Sequence, residues 1–198
     1  MPDPVTLTAR LHEHIEPLDR GERYEDPLDS ALRTADLGEV TGGGSQLGAL
    51  GEIEFADIEL RVLSVDDALP MIVRSLEDAG APVGSQIISN AGTVREFGQQ
   101  QSVAVYLDGV SLPDEVYAEL DFDDVVARLT AAAGDGSYHG CWQGNEETGL
   151  FFFGRSAEQM FERVEHMLRA MPIGQNARIV ARPGRAGSND RSVRLPRL

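Results

Sequence analysis

One segment of the chain recurs at a distance of 92 residues, and this repeat constrains the fold more than any other feature. The segment from Ser64 to Ile87 aligns without gaps with the segment from Ser156 to Ile179. Leu76 then coincides with Leu168. In both copies apolar residues at helical spacing are followed by a short apolar run, the pattern of a helix that leads into a strand. The repeat therefore predicts two copies of one supersecondary unit.

Hydrophobic periodicity predicts the same order of elements in both halves of the chain. Alternating apolar residues mark the strands, and apolar residues three and four positions apart mark the helices. The first half gives a strand at 5–15, a helix at 26–38, strands at 38–43 and 53–63, a helix at 64–80 and a strand at 86–89. The second half gives a strand at 103–107, a helix at 121–134, a hairpin at 137–142 and 150–154, a helix at 156–172 and a strand at 177–181. Each half has the order β-α-β-β-α-β.

This order resembles the ferredoxin-like superfold over residues 5–90 and 102–182. The resemblance implies an α+β protein of two tandem ferredoxin-like repeats, each an antiparallel sheet with both helices on one face. We expect the first repeat at 1–90, a polar linker at 91–101, the second repeat at 102–182 and an Arg-rich flexible tail at 183–198. The ferredoxin-like superfold occurs in proteins with unrelated functions, so the resemblance does not indicate which function this chain has.

The chain is strongly acidic, with 33 Asp and Glu residues against 17 basic residues. An acidic body repels the phosphate backbone, so nucleic acid is not an expected partner. No apolar run reaches the roughly 18 residues of a membrane span, and the first 15 residues lack the features of a signal peptide. Cys141 is the only cysteine, in keeping with a reducing compartment. We expect a cytoplasmic protein that does not bind membranes.

All 17 basic residues are arginine, so the chain contains no lysine. This absence excludes a Walker-type phosphate loop, Schiff-base chemistry and a kinase strand lysine. Gly42 to Ser45 reads GGGS, but it joins two predicted strands and is interpreted as a flexible connection. We predict no cofactor.

Two groups of residues that contain histidine resemble known patterns of metal or catalytic sites. His12, His14 and Glu16 alternate along the first predicted strand and could face one metal ion, although a solvated sheet edge is the simpler interpretation. His139 and Cys141 are two residues apart on a predicted strand and are expected to share a face. Such a pair could lower the thiol pKa and create a nucleophile, or it could be a half-buried thiol beside an imidazole.

The strongest candidate site is an aromatic sheet face in the second repeat. Aligning the repeats places Leu150 and Phe152 on core-facing positions, which turns Phe151 and Phe153 away from the helices. The residues expected on this ligand or interface face are Phe151, Phe153, Tyr106, His139 and Cys141. The same face of the first repeat carries Thr, Arg and Glu. Either another part of the chain covers the aromatic face, or it lines a ligand cavity or a homodimer contact.

These observations favour a non-catalytic binding or regulatory protein that engages a protein partner or a small ligand. Two alternatives stay open: an acidic, immunity-like inhibitor of a basic partner, and an enzyme with a cleft between the repeats that uses His139 and Cys141. Arginines 185, 191, 194 and 197 also predict loose electrostatic docking of the tail on its own acidic body or on a neighbouring chain.

Overall fold

A computed structural model describes residues 3–184 and 189–197. The chain divides into two compact units, Met1–Gln99 and Gln100–Leu198. Both are α+β units built on a five-stranded antiparallel sheet. No helix in the described ranges is both long enough and apolar enough to cross a membrane.

The first unit contains five strands and three α-helices. Its strands are β1 (Val5–Leu11), β2 (Gly38–Leu47), β3 (Ile53–Val62), β4 (Ser85–Ser89) and β5 (Gly92–Phe97). Its helices are α1 (Pro17–Arg20), α2 (Asp26–Thr34) and α3 (Val65–Asp78), with a π-helical turn, Gly21–Glu25, between the first two. The strand order is β2-β3-β1-β4-β5. The first four strands thus have ferredoxin-like order, and β5 extends the sheet beside the fourth.

The second unit repeats this arrangement. Its strands are β6 (Gln101–Asp108), β7 (Ser137–Gln143), β8 (Glu147–Gly154), β9 (Arg178–Arg182) and β10 (Arg191–Arg194). Its helices are α4 (Asp114–Ala118), α5 (Phe122–Ala133) and α6 (Ala157–Arg169), followed by a 3₁₀ turn at Pro172–Gly174. The strand order β10-β9-β6-β8-β7 matches that of the first unit. The predicted pair of ferredoxin-like repeats is confirmed.

The recurring serines of the sequence repeat begin equivalent helices. Ser64 caps α3 by accepting a hydrogen bond from the Asp67 N–H, and Ser156 caps α6 by accepting one from the Gln159 N–H. An N-cap of this kind satisfies a backbone donor that the helix cannot pair itself. The apolar faces of these helices pack on one side of their own sheets, where Leu76 and Leu168 are both fully buried.

The predicted linker at 91–101 is wrong, because most of it is sheet. Gly92 adopts φ +117°, which permits a tight hairpin from β4 into β5. Phe97 at the end of β5 is buried against the first core, and Gln101 already belongs to β6. The polar composition of this stretch reflects an exposed edge strand.

The predicted flexible tail at 183–198 also contains a strand. Arg191–Arg194 forms β10 and pairs with β9, and Leu195 is buried in the second core. The predicted electrostatic contacts are present as well, because Arg191 pairs with Glu158 and Arg194 with Glu147. Residues 185–188 and 198 of the predicted tail lie outside the described residues.

Candidate functional site

The second sheet has a face opposite α5 and α6, and we call this its outer face. A separate buried cluster lies there, distinct from the core beneath the helices. Its members come from β6, β8 and β9, and they are Ala104, Tyr106, Phe151, Phe153 and Val180. The predicted register is therefore correct, since Leu150 and Phe152 belong to the helix-side core. Phe151 is 4% exposed and Phe153 is 3% exposed.

The aromatic rings of this cluster meet in specific geometries. Tyr106 and Phe151 lie edge to face, with ring centroids 6.2 Å apart and planes at 90°. Gly149 makes this pair possible, because a Cβ at that position would lie 3.2 Å from the Phe151 ring and 3.3 Å from the Tyr106 ring. His139 stacks on Phe153 with centroids 4.6 Å apart, and its Nε2 lies 2.7 Å from the Ser137 hydroxyl. Four of the five predicted residues are thus brought together.

Cys141 is the exception, and the expectation that it shares a face with His139 is wrong. The pairing of β7 with β8 slips between Tyr138 and Cys141, which marks a β-bulge around His139 and Gly140. Gly140 has φ +122°, a conformation that favours glycine. The additional residue returns Cys141 to the helix side, where it pairs with Leu150 and is exposed at the sheet edge. The histidine and the thiol therefore lie on opposite faces.

The bulge places Trp142 where Cys141 was expected. Trp142 pairs with Gly149 and packs against the aromatic cluster as its half-buried rim. Cys141 instead hydrogen-bonds the Tyr138 hydroxyl. Burial, and then the neighbouring Cys141, raise the pKa of Tyr138. A glycine inside a predicted strand was the sequence signal that could have revealed this bulge.

An ionic group borders the same cluster. The Arg178 guanidinium lies 3.7 Å from the centroid of the Tyr106 ring, a cation–π contact, and donates to Glu147 at 2.7 Å. Arg194 of β10 donates to the other oxygen of Glu147 at 3.2 Å. Burial opposes ionisation of Glu147, but these two arginines outweigh it and lower the pKa of the carboxylate. Sequence reasoning missed Arg178, although strand alternation with buried Ile179 places it on the outer face.

The corresponding face of the first sheet has different chemistry. Arg10 forms two hydrogen bonds of 2.8 Å with Asp57 and lies 3.8 Å from the centroid of the Phe55 ring. Glu59 and Arg61 are exposed on β3. Glu59 occupies the position equivalent to Phe151, 92 residues earlier. The two repeats therefore have the same fold but carry different side chains on the sheet face opposite their helices.

The remaining sequence candidates do not form a site. Strand β1 ends at Leu11, before the predicted alternation reaches His14. His12 lies against the Phe55 ring, whereas His14 is buried with its Nε2 4.0 Å from Glu16. Gly42–Ser45 belongs to β2 and not to a phosphate loop. Within the described ranges, no group of three or more His, Cys, Asp or Glu side chains is arranged to hold a metal ion.

Comparisons with known proteins give likeness in structure only. No protein-family model matches the chain, and no curated protein does. An unknown protein from Galdieria sulphuraria shares 14% identity with a TM-score of 0.28, over 91% of this chain and 98% of that one. The regulatory subunit of aspartate kinase from Thermus flavus shares 14% identity with a TM-score of 0.27, over 83% of this chain and 94% of that one. These values are too low to transfer a function.

Proposed function

We propose that this chain is a non-catalytic binding or regulatory protein that engages a protein partner or a small ligand through the outer face of its second sheet. The aromatic cluster supports this proposal most directly. Three aromatic side chains and His139 gather on a sheet face that faces no helix of its own unit, whereas the equivalent face of the first unit carries Arg, Asp and Glu. Ligand sites are commonly lined by buried apolar and aromatic side chains with a few polar groups beside them, and here these groups are the Ser137 hydroxyl, His139 and Arg178.

The chemistry of the cluster favours recognition of a flat or apolar group. Aromatic faces bind through stacking, and Trp142 and Arg178 lie half-buried at the rim where a ligand would first make contact. The separation of His139 from Cys141 removes the one arrangement that could have activated a thiol nucleophile. The geometry thus supports binding better than covalent chemistry.

The single tryptophan provides a direct assay, because Trp142 touches the proposed site. We would screen apolar and aromatic small molecules, and candidate protein partners, for a saturable change in Trp142 fluorescence and a rise in melting temperature. Phe151→Leu should weaken binding about tenfold by removing a stacking surface. Glu59→Gln, at the equivalent position of the first repeat, is the matched control and should bind like the wild type. Equal affinity for wild type and Phe151→Leu would place the binding surface elsewhere.

A further inference from the structure

The edge of β9 that points away from β6 carries a second surface. Strand β10 lies along this edge, with Ser192 opposite Val180 and Val193 opposite Ile179. The ladder continues past the strand, because the Leu195 N–H donates to the Ala177 carbonyl at 2.8 Å. A segment of the chain is thus bound to its own sheet in the way that extended peptides bind sheet edges in other complexes.

Alternate side chains of this segment enter distinct subsites on the helix side. The Arg191 guanidinium lies 4.1 Å from the centroid of the Phe161 ring and pairs with Glu158. Val193 packs against the second core, and Leu195 is buried within it at 3% exposure. The three subsites therefore accept an arginine, an apolar residue two positions later and a second apolar residue two positions after that.

On the other side of the segment, and at its end, arginine side chains donate hydrogen bonds to acceptors in the rest of the unit. Arg194 donates to Glu147 and to the Asn176 carbonyl, and Arg197 donates to the Ser111 carbonyl. Carboxylates and backbone carbonyls at these positions complement a basic peptide. The edge of β9 is thus selective for positive charge as well as for extended backbone.

Most side chains of the resident segment remain exposed to solvent. Leu195 is the single residue among 191–197 that is buried, and Arg191, Ser192 and Arg194 are exposed. Exposed ion pairs contribute little to stability. A surface pocket of about 200 Å³ lies beside Leu195 and Pro196 and is lined by Leu168, Met171 and Gly174.

We propose that the β9 edge is a binding site for an extended basic peptide of another protein, with the spacing Arg-x-apolar-x-apolar, and that β10 occupies this site in cis as a competitor. A tethered competitor acts at a high effective concentration, so the intact chain would bind such a peptide weakly until β10 is released. This site shares Glu147 with the border of the aromatic cluster, but its backbone ladder and its helix-side subsites do not involve Phe151 or Phe153, so loss of ligand binding at the cluster would leave this proposal standing.

The test uses a fluorescein-labelled synthetic peptide of residues 189–197 and the full-length chain, with binding measured by fluorescence anisotropy. Leu195→Ser in the chain weakens the cis competitor, and we expect this variant to bind the labelled peptide at least tenfold more tightly than the wild type does. The peptide should also raise the melting temperature of Leu195→Ser. A peptide carrying the same Leu195→Ser change should bind neither chain, and affinity should fall as salt is added.

Two controls keep the result interpretable. Ser192→Ala in the chain alters an exposed side chain and should behave like the wild type. If circular dichroism shows that Leu195→Ser is unfolded, the double variant Arg191→Ala, Arg194→Ala removes two ion pairs and the contact of Arg191 with the Phe161 ring, and it should still increase peptide affinity, by less than Leu195→Ser. Equal binding by wild type and these variants would overturn the proposal, as would equal binding of a scrambled peptide. Dimers formed by exchange of β10 between wild-type chains would overturn it too, because the natural occupant would then be a second copy.

Discussion

At the scale of single residues, both repeats place a buried carboxylate at the end of the first strand or just after it, where the carboxylate accepts a hydrogen bond from a tyrosine of the following helical segment. Glu13 accepts a hydrogen bond of 2.7 Å from the Tyr24 hydroxyl, and Asp108 accepts one of 3.2 Å from the Tyr117 hydroxyl. Both carboxylates are less than one tenth exposed. The repeats thus conserve a polar junction between strand and helix as well as an apolar core.

Asp108 accepts several further hydrogen bonds. Its oxygens also accept from the backbone N–H groups of Val110 and Ser111, from the Ser111 hydroxyl and from the Asn176 amide. Burial opposes ionisation, but these donors outweigh it and hold the pKa of Asp108 well below its usual range. A carboxylate whose pKa is depressed by folding stabilises the protein above its unfolded pKa of about 4 and loses that contribution as the pH falls.

We therefore predict that Asp108→Asn lowers the free energy of unfolding by about 1–3 kcal/mol at pH 7, because an amide cannot accept all of these bonds. The difference from wild type should shrink as the pH is lowered below about 4 toward 3, because the unfolded wild-type chain then takes up a proton on Asp108 while the folded protein keeps this carboxylate ionised. Urea denaturation at several pH values measures this. Asp123→Asn, on the exposed first turn of α5, is the control. A constant difference between pH 7 and pH 3 would contradict the role given to the charge.

At the scale of elements, the segment from Pro17 to Thr34 protects the edge of the first sheet. The sequence predicts no element between the strand at 5–15 and the helix at 26–38, but residues 17–25 form α1 and the π-helical turn before α2. Asp29 accepts a hydrogen bond of 2.8 Å from the Val40 N–H of β2, and Arg20 donates to the Gly44 carbonyl at 3.1 Å. These contacts satisfy backbone groups of an edge strand that could otherwise pair with another chain.

Asp29→Ala should consequently have two effects. We expect the free energy of unfolding to fall by about 1 kcal/mol, because the Val40 N–H loses its acceptor while the exposed pair of Asp29 with Arg33 contributes little. We also expect more self-association, because the Val40 N–H becomes available to a foreign strand. Denaturation and light scattering measure the two effects. Asp78→Ala removes an exposed partner of Arg74 and should change neither. Unchanged scattering for Asp29→Ala would contradict the protective role.

At the scale of the whole molecule, features that follow from hydrophobic periodicity could be predicted from the sequence. Features that depend on hydrogen-bonded pairing between distant strands could not. The 92-residue repeat identifies α3 and α6, and alternation along β8 places Phe151 and Phe153 on the outer face. Strands β5 and β10 escape detection because they lie at sheet edges, are short and mostly exposed, and lack alternation. Cys141 is misplaced because a bulge shifts the alternation by one residue. Gly140 is a sequence signal for this bulge, and the pairing of β7 with β8 confirms its position.

The equivalent positions 59 and 151 allow the difference between the two repeats to be tested. Phe151→Asp buries a charge among Tyr106 and Phe153, and we expect the free energy of unfolding to fall by about 3 kcal/mol or more. Glu59→Gln changes an exposed side chain at the same position of the first sheet and should stay within about 0.5 kcal/mol of wild type. Trp142 lies in the second unit, so its fluorescence during urea denaturation reports the unit that carries Phe151, while circular dichroism reports both. If Phe151→Asp unfolds like the wild type by both measurements, the outer face of the second sheet is not the buried aromatic surface on which the proposed function rests.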